Sequence, residues 1–169
     1  IWIGTNSGLN LLQYKYLKQT DFNDISSRNV YNTIKIKQFV NQHGIHNCIS
    51  NNNIRTIFED KQQTLWVGTV WGLNRIIFPH VPGKEVTFQR FFQKYYNLGN
   101  NARNGIYSIC QTNDGSIWAG HGLGITRFIQ TEKPEQPKIE HFLFQKKFQN
   151  AFGRHEIRHL HVDMKGRLW

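Results

Sequence analysis

The 169 residues include 21 Lys and Arg against 11 Asp and Glu, a formal net charge of +10, and 38% of the residues are hydrophobic. This composition is that of a globular chain, and it contains no run of about 18 apolar residues that could cross a membrane. The basic residues are scattered and form no dense block, which argues against a nucleic-acid-binding protein. We interpret them as a solvated rim, and attraction to an anionic partner (an acidic glycan or a lipid headgroup surface) is the functional alternative.

Strands are predicted in the same order in each of three successive copies. A copy has a short apolar strand, a turn, a second strand with a tryptophan, a second turn with a glycine, a third apolar strand and a fourth strand of alternating polarity. The predicted strands are 1–5, 9–12 and 31–40, then 57–58, 65–69, 73–77 and 86–95, then 109–110, 117–120, 125–129 and 139–146. Four strands per copy make one β-propeller blade.

The tryptophans mark the period. They recur about every 50 to 65 residues, which is close to the repeat length of propeller blades. The copies extend over about 1–50, 51–102 and 103–155, and a further one starts at 156–169. We therefore predict an all-β fold, a partial propeller of about three four-stranded antiparallel blades over 1–169. Three blades do not close a ring, which usually takes about four to eight, so a larger parent protein is expected.

The repeated Trp and Gly residues have a structural interpretation. The tryptophans would be wedges between blades, because they bury a large apolar area. A glycine inside a strand usually marks a bulge or a close backbone approach, and a glycine in the second turn tolerates positive φ. The structural set is Trp2, Gly4, Gly8, Trp66, Gly68, Gly72, Trp118, Gly120, Gly124 and Trp169.

The consensus Ile-x-x-Ile-x-x-Asp-x-x-Gly-x-Leu-Trp-x-Gly-Thr-x-x-Gly-Leu-x-Arg closely resembles the two-component regulator propeller repeat. The resemblance covers nearly the whole chain, and His121 departs from it by replacing the expected Thr. It implies the sensor region of a bacterial transmembrane signalling protein, periplasmic or extracytoplasmic. The parent would be a histidine kinase or a diguanylate cyclase through domains absent from these residues.

Two other classes of propeller are alternatives. Streptogramin-lyase-like enzymes use a similar Asp-x-x-Gly-x-Ile-Trp phrase, but Gly-Thr-x-x-Gly-Leu-x-Arg after the Trp fits the sensor repeat better. Protein-interaction propellers of the WD or kelch type carry different signatures, Gly-His with Trp-Asp or a double Gly. No nucleophile motif or phosphate loop is present, so we expect no catalytic residue and no cofactor in this segment.

Cysteines and histidines give weak signals. Cys48 and Cys110 show no disulfide framework, and we interpret them as free thiols. His155, His159 and His161 cluster, but the other copies do not repeat the set and no zinc-ligand spacing accompanies it, so no metal site is predicted.

Ligand specificity should reside in positions that vary beside the repeated scaffold. One such column is Arg55, Tyr107 and Arg158, each directly after the first Ile of its copy, and a second, around the second turn, holds Trp71 and His121. Arg and aromatic side chains grip hydroxyl-rich or anionic ligands through forked donors and ring stacking. The alternative is that Trp71 covers a neighbouring blade and the Arg residues are solvated. The expected ligand is a small molecule or an oligosaccharide, either neutral or anionic. The other expected partners are the remaining blades of the parent chain and a second copy in a homodimer.

Overall fold

The computed structural model describes residues 1–14, 34–78, 85–91, 105–133, 135–143 and 156–169. Within those ranges the chain forms eleven β-strands and no helix. The strands are β1 Trp2–Thr5, β2 Gly8–Tyr14, β3 Ile34–Phe39, β4 Ile54–Glu59, β5 Leu65–Thr69, β6 Gly72–Ile77, β7 Thr87–Phe91, β8 Ile106–Gln111, β9 Ile117–His121, β10 Gly124–Ile129 and β11 Lys138–Leu143. The described residues therefore contain no helix that could span a membrane.

The strands form three antiparallel meanders, with strand orders β1-β2-β3, β4-β5-β6-β7 and β8-β9-β10-β11. The predicted all-β fold is confirmed, and the second and third sheets have the four strands expected of a blade. The first sheet has three described strands, of which β1 corresponds to β5 and β9. The last residues of the predicted outer strands, 92–95 and 144–146, and the first of them, 31–33, lie outside the described residues.

Consecutive copies pack through a glycine in one and an isoleucine in the next. A Cβ built on Gly68 would lie 2.8 Å from Ile106 Cγ2, and one on Gly120 would lie 2.6 Å from Ile157 Cγ2. Gly4 has the same relation to Ile54, whose Cγ2 would be 2.6 Å away. Real Cβ contacts are never this short, so the first Ile of each copy fills a slot that only Gly leaves in the copy before it.

Two apolar clusters lie between the sheets. One joins β1 and β2 to β5 and β6, and the other joins the second sheet to β8, β9 and β10. Trp66 belongs to the second cluster and is 0% exposed, with Phe91 and Phe128 within 6 Å of its ring centroid. Its indole N–H donates to Asp60 Oδ2 at 2.8 Å. The indole ring is therefore packed against apolar neighbours, and its one polar atom is hydrogen-bonded.

Tryptophans of the other copies are less covered. Trp118 is partly buried and stacks on Phe142, which is itself 49% exposed, and Trp169 is 67% exposed. An Arg lies over each of three indoles, with the guanidinium carbon 5.7 Å from the Trp66 ring centroid, 5.4 Å from Trp118 and 5.1 Å from Trp169. Arg75 and Arg127 are the Arg of the repeat, which thus contributes a cation–π contact to its own blade, whereas Arg167 lies in the turn just before Trp169.

Candidate ligand-binding site

Both variable columns lie at one edge of the sheets, which we call the upper edge. It is formed by the starts of β4 and β8, by residues 156–158, and by the turns after β5 and β9. The pairing defines it, because Ile54 is opposite Thr69 and Ile106 is opposite His121. The positions that follow Ile54 and Ile106 therefore lie beside the second turns, where Trp71 and His121 are located.

β-Bulges lie at the two column positions on β4 and β8. The register of β4 against β5 shifts between Ile54 and Thr56, so Arg55 is the additional residue. The register of β8 against β9 shifts in the same way between Ile106 and Ser108, at Tyr107. A bulge turns a side chain away from the regular alternation of its strand. Because of the two bulges, the Arg55 and Tyr107 side chains do not have to follow the alternation that would place them on one face of their sheets.

The first column forms a single stack across three copies. The guanidinium carbon of Arg55 lies over the Tyr107 ring, 5.8 Å from its centroid, and that of Arg158 lies over it at 5.7 Å. Arg55 and Arg158 are exposed, whereas Tyr107 is half-buried. The structure thus brings together three residues that the sequence separates by about 50 positions each, close to one repeat.

Glu156 completes this stack, although no sequence pattern singled it out. The Tyr107 hydroxyl donates to Glu156 Oε1 at 3.0 Å, and Arg158 Nη2 pairs with Glu156 Oε2 at 2.7 Å. Burial raises the pKa of Tyr107, and the hydrogen bond to Glu156 raises it further, so the phenol remains a protonated donor. The equivalent residues of the other copies are Asn53 and Gly105, so no repeated pattern marks the position of the carboxylate.

Trp71 lies in the turn between β5 and β6 and is partly buried. Its backbone N–H donates to Thr69 Oγ1 at 3.0 Å, and the same hydroxyl lies 3.1 Å from the carbonyl oxygen of Gly72. Thr5 holds the corresponding turn of the first copy through Ser7 and Gly8. The Thr of the repeat is therefore the residue that fixes this turn.

His121 takes over this role in the third copy. Its Nδ1 accepts the backbone N–H of Leu123 at 3.2 Å, as the Thr hydroxyls accept the N–H two residues on. The neutral ring then carries its proton on Nε2, which is 3.1 Å from Thr126 Oγ1, and that hydroxyl is 2.9 Å from His141 Nδ1. His121 is 0% exposed, so it has no surface to present to a ligand while the turn is closed. Burial, with the nearby His141 as the second cause, lowers its pKa to about 4.

The structure also locates both cysteines and two of the three clustered histidines. Cys48 and Cys110 are buried and free, and burial raises the pKa of the Cys110 thiol to about 11. His159 and His161 are exposed, and His155 lies outside the described residues. Among the residues that the structure does describe, no three His, Cys, Asp or Glu side chains come close enough to hold a metal ion.

Two segments, 48–71 and 102–122, match the family described as two component regulator propeller. The resemblance that the consensus predicted is confirmed over these two segments. Each matched segment includes one bulged column residue, Arg55 or Tyr107, and one second-turn residue, Trp71 or His121. No curated protein matches the chain.

Among solved structures, the chain is similar to the extracellular domain of a hybrid two component system from B. thetaiotaomicron. The TM-score is 0.57 at 19% identity, over 99% of this chain and 18% of that domain. A second such domain from the same organism matches with a TM-score of 0.36 and 18% identity, over 99% of this chain and 24% of that one. The chain thus spans about a fifth of the length of the domains it resembles. At this identity the first likeness establishes the fold alone.

Proposed function

We propose that this chain is a non-catalytic, ligand-sensing propeller segment of a bacterial two-component sensor and acts on the extracytoplasmic side of the membrane. Support for the class of protein comes from the two segments that match the family and from the extracellular domain that shares the fold. The observation that carries the proposal is the stack of Arg55, Tyr107 and Arg158, which gathers the predicted ligand column at the upper edge.

Ligand binding at this stack would depend on how neighbouring copies are placed relative to one another. Arg55 belongs to the second sheet, Tyr107 to the third, and Arg158 follows the third. A ligand that contacts all three bridges separate repeats, and its affinity depends on how these are arranged. Binding would therefore favour one arrangement of the propeller or of a dimer by its difference in affinity for the two, and so transmit a signal.

The test is calorimetric screening of small oligosaccharides against the whole propeller of the sensor, followed by Arg55→Ala, Trp71→Ala and Tyr107→Ala. We expect the affinity of the best ligand to fall about tenfold or more in at least two of the three variants. Lys61→Ala is the matched control, because Lys61 is exposed in the turn at the opposite edge. Unaltered affinity in all three variants would place the binding site elsewhere.

A further inference from the structure

We propose that the stack at the upper edge is an oxyanion site and that it prefers a ligand bearing a carboxylate or sulfate to a neutral sugar. The inference rests on the proposed function and specifies the ligand class.

The Tyr107 ring is already engaged. Two guanidiniums lie over it, both within 6 Å of the centroid, and its hydroxyl is directed to Glu156. A neutral sugar binds an aromatic residue mainly by laying its ring against the π face, which an arginine here occupies. Stacking on Tyr107, one of the two modes expected from the sequence, therefore competes with two cation–π contacts.

The guanidinium groups are what the stack offers to solvent. Arg158 shares its charge with Glu156, yet its side chain is still 77% exposed. Arg55 is exposed and, within the described ranges, forms no ion pair. One carboxylate thus accompanies two guanidiniums, which leaves the stack with a net positive charge and forked donors. That combination matches the planar or tetrahedral oxygens of a carboxylate or sulfate.

The existing Glu156 contacts show how such an oxyanion would be held. One of its oxygens accepts from a phenol and the other accepts from a guanidinium. A ligand oxyanion would make equivalent contacts with Arg55 and with the remaining N–H groups of Arg158. Tyr107 would position both guanidiniums through its ring and would not need to touch the ligand.

The probe is inorganic sulfate, titrated at constant ionic strength into the protein with ¹⁵N-labelled arginine, and each Nε–Hε signal is followed by NMR. We expect saturable shifts of the Arg55 and Arg158 signals with sulfate and none with neutral cellotetraose. Arg55→Gln should weaken sulfate binding about tenfold, whereas Lys61→Gln, which removes the same charge at the opposite edge, should leave it unchanged. Glu156→Gln should tighten it, because a like charge is removed.

A linear response, or equal weakening by Arg55→Gln and Lys61→Gln, would reduce the effect to general screening and overturn the inference. The two proposals can fail separately. If sulfate binds as expected while every oligosaccharide binds elsewhere, the oxyanion site stands and the sensing role at this edge fails. If a neutral oligosaccharide binds at the stack and sulfate does not, the oxyanion inference fails alone.

Discussion

His121 should make the fold sensitive to mild acid. Its Nδ1 accepts the Leu123 N–H. A proton on Nδ1 would turn this acceptor into a donor that faces the Leu123 N–H, and the hydrogen bond would be lost. The folded-state pKa is about 4, whereas an unfolded chain binds the proton near pH 6.5. Between these values the unfolded state holds more protons, and stability therefore falls as the pH drops from 6.5 to 4. This difference in pKa corresponds to a loss of about 3 kcal/mol in the free energy of unfolding by pH 4. Above pH 6.5 none of this free energy is lost.

The assay is urea unfolding at several pH values between 7.5 and 4.5, compared with His121→Thr. Thr is the matched substitution, because Thr5 and Thr69 hold the same turn without a titratable group. We expect the variant to be somewhat less stable at pH 7.5, where the smaller side chain leaves a cavity, and to lose less stability on acidification. His141 keeps a pH dependence of the same sign in both proteins, since burial also lowers its pKa. If the two proteins lose stability in parallel, protonation of His121 does not limit the fold and the reasoning is wrong.

Three further predictions concern the packing of the copies. Gly68→Ala should lower the free energy of unfolding in urea by about 1–3 kcal/mol, because the new methyl group meets both Thr56 of its own sheet and Ile106 of the next; an unchanged midpoint would contradict the close approach. Asp60→Asn should lower the free energy of unfolding by about 1–3 kcal/mol, because it replaces one of the two acceptor oxygens beside the buried Trp66 indole N–H with an amide donor. Asp163→Asn, which makes the same change beside the exposed Trp169, should lower it less. Apolar side chains on the outer faces of the first and third sheets should make the isolated chain associate, which sedimentation velocity would show; a stable monomer at high concentration would count against this.

Sequence patterns predicted the sheets because the repeat encodes them locally. The apolar runs and the turn glycines determine β5, β6, β9 and β10 with little help from the rest of the chain. The outer strands were predicted from alternation; β3 and β7 lie inside the predicted ranges, and β11 begins one residue before its range. Local patterns suffice where neighbouring strands are joined by short turns.

The site was less predictable, because its geometry depends on contacts between copies. Variation beside constant positions selected Arg55, Tyr107 and Arg158, but no pattern could show that bulges would bring them to one ring. The same criterion selected His121, whose ring is buried, since a residue that varies for ligand contact and one that replaces a turn-holding Thr look alike in a sequence. Glu156 was missed because its column contains an Asn and a Gly elsewhere.

The pairing of a strand glycine with the first isoleucine of the following copy gives every junction between copies the same contact. Gly4 and Ile54, Gly68 and Ile106, and Gly120 and Ile157 belong to different copies, and each pair brings the same two residue types together. A whole copy inserted between two others would therefore offer its own isoleucine to the glycine before it and its own glycine to the isoleucine after it. Addition or removal of whole copies is thus the change in length that this architecture accommodates without repacking these junctions.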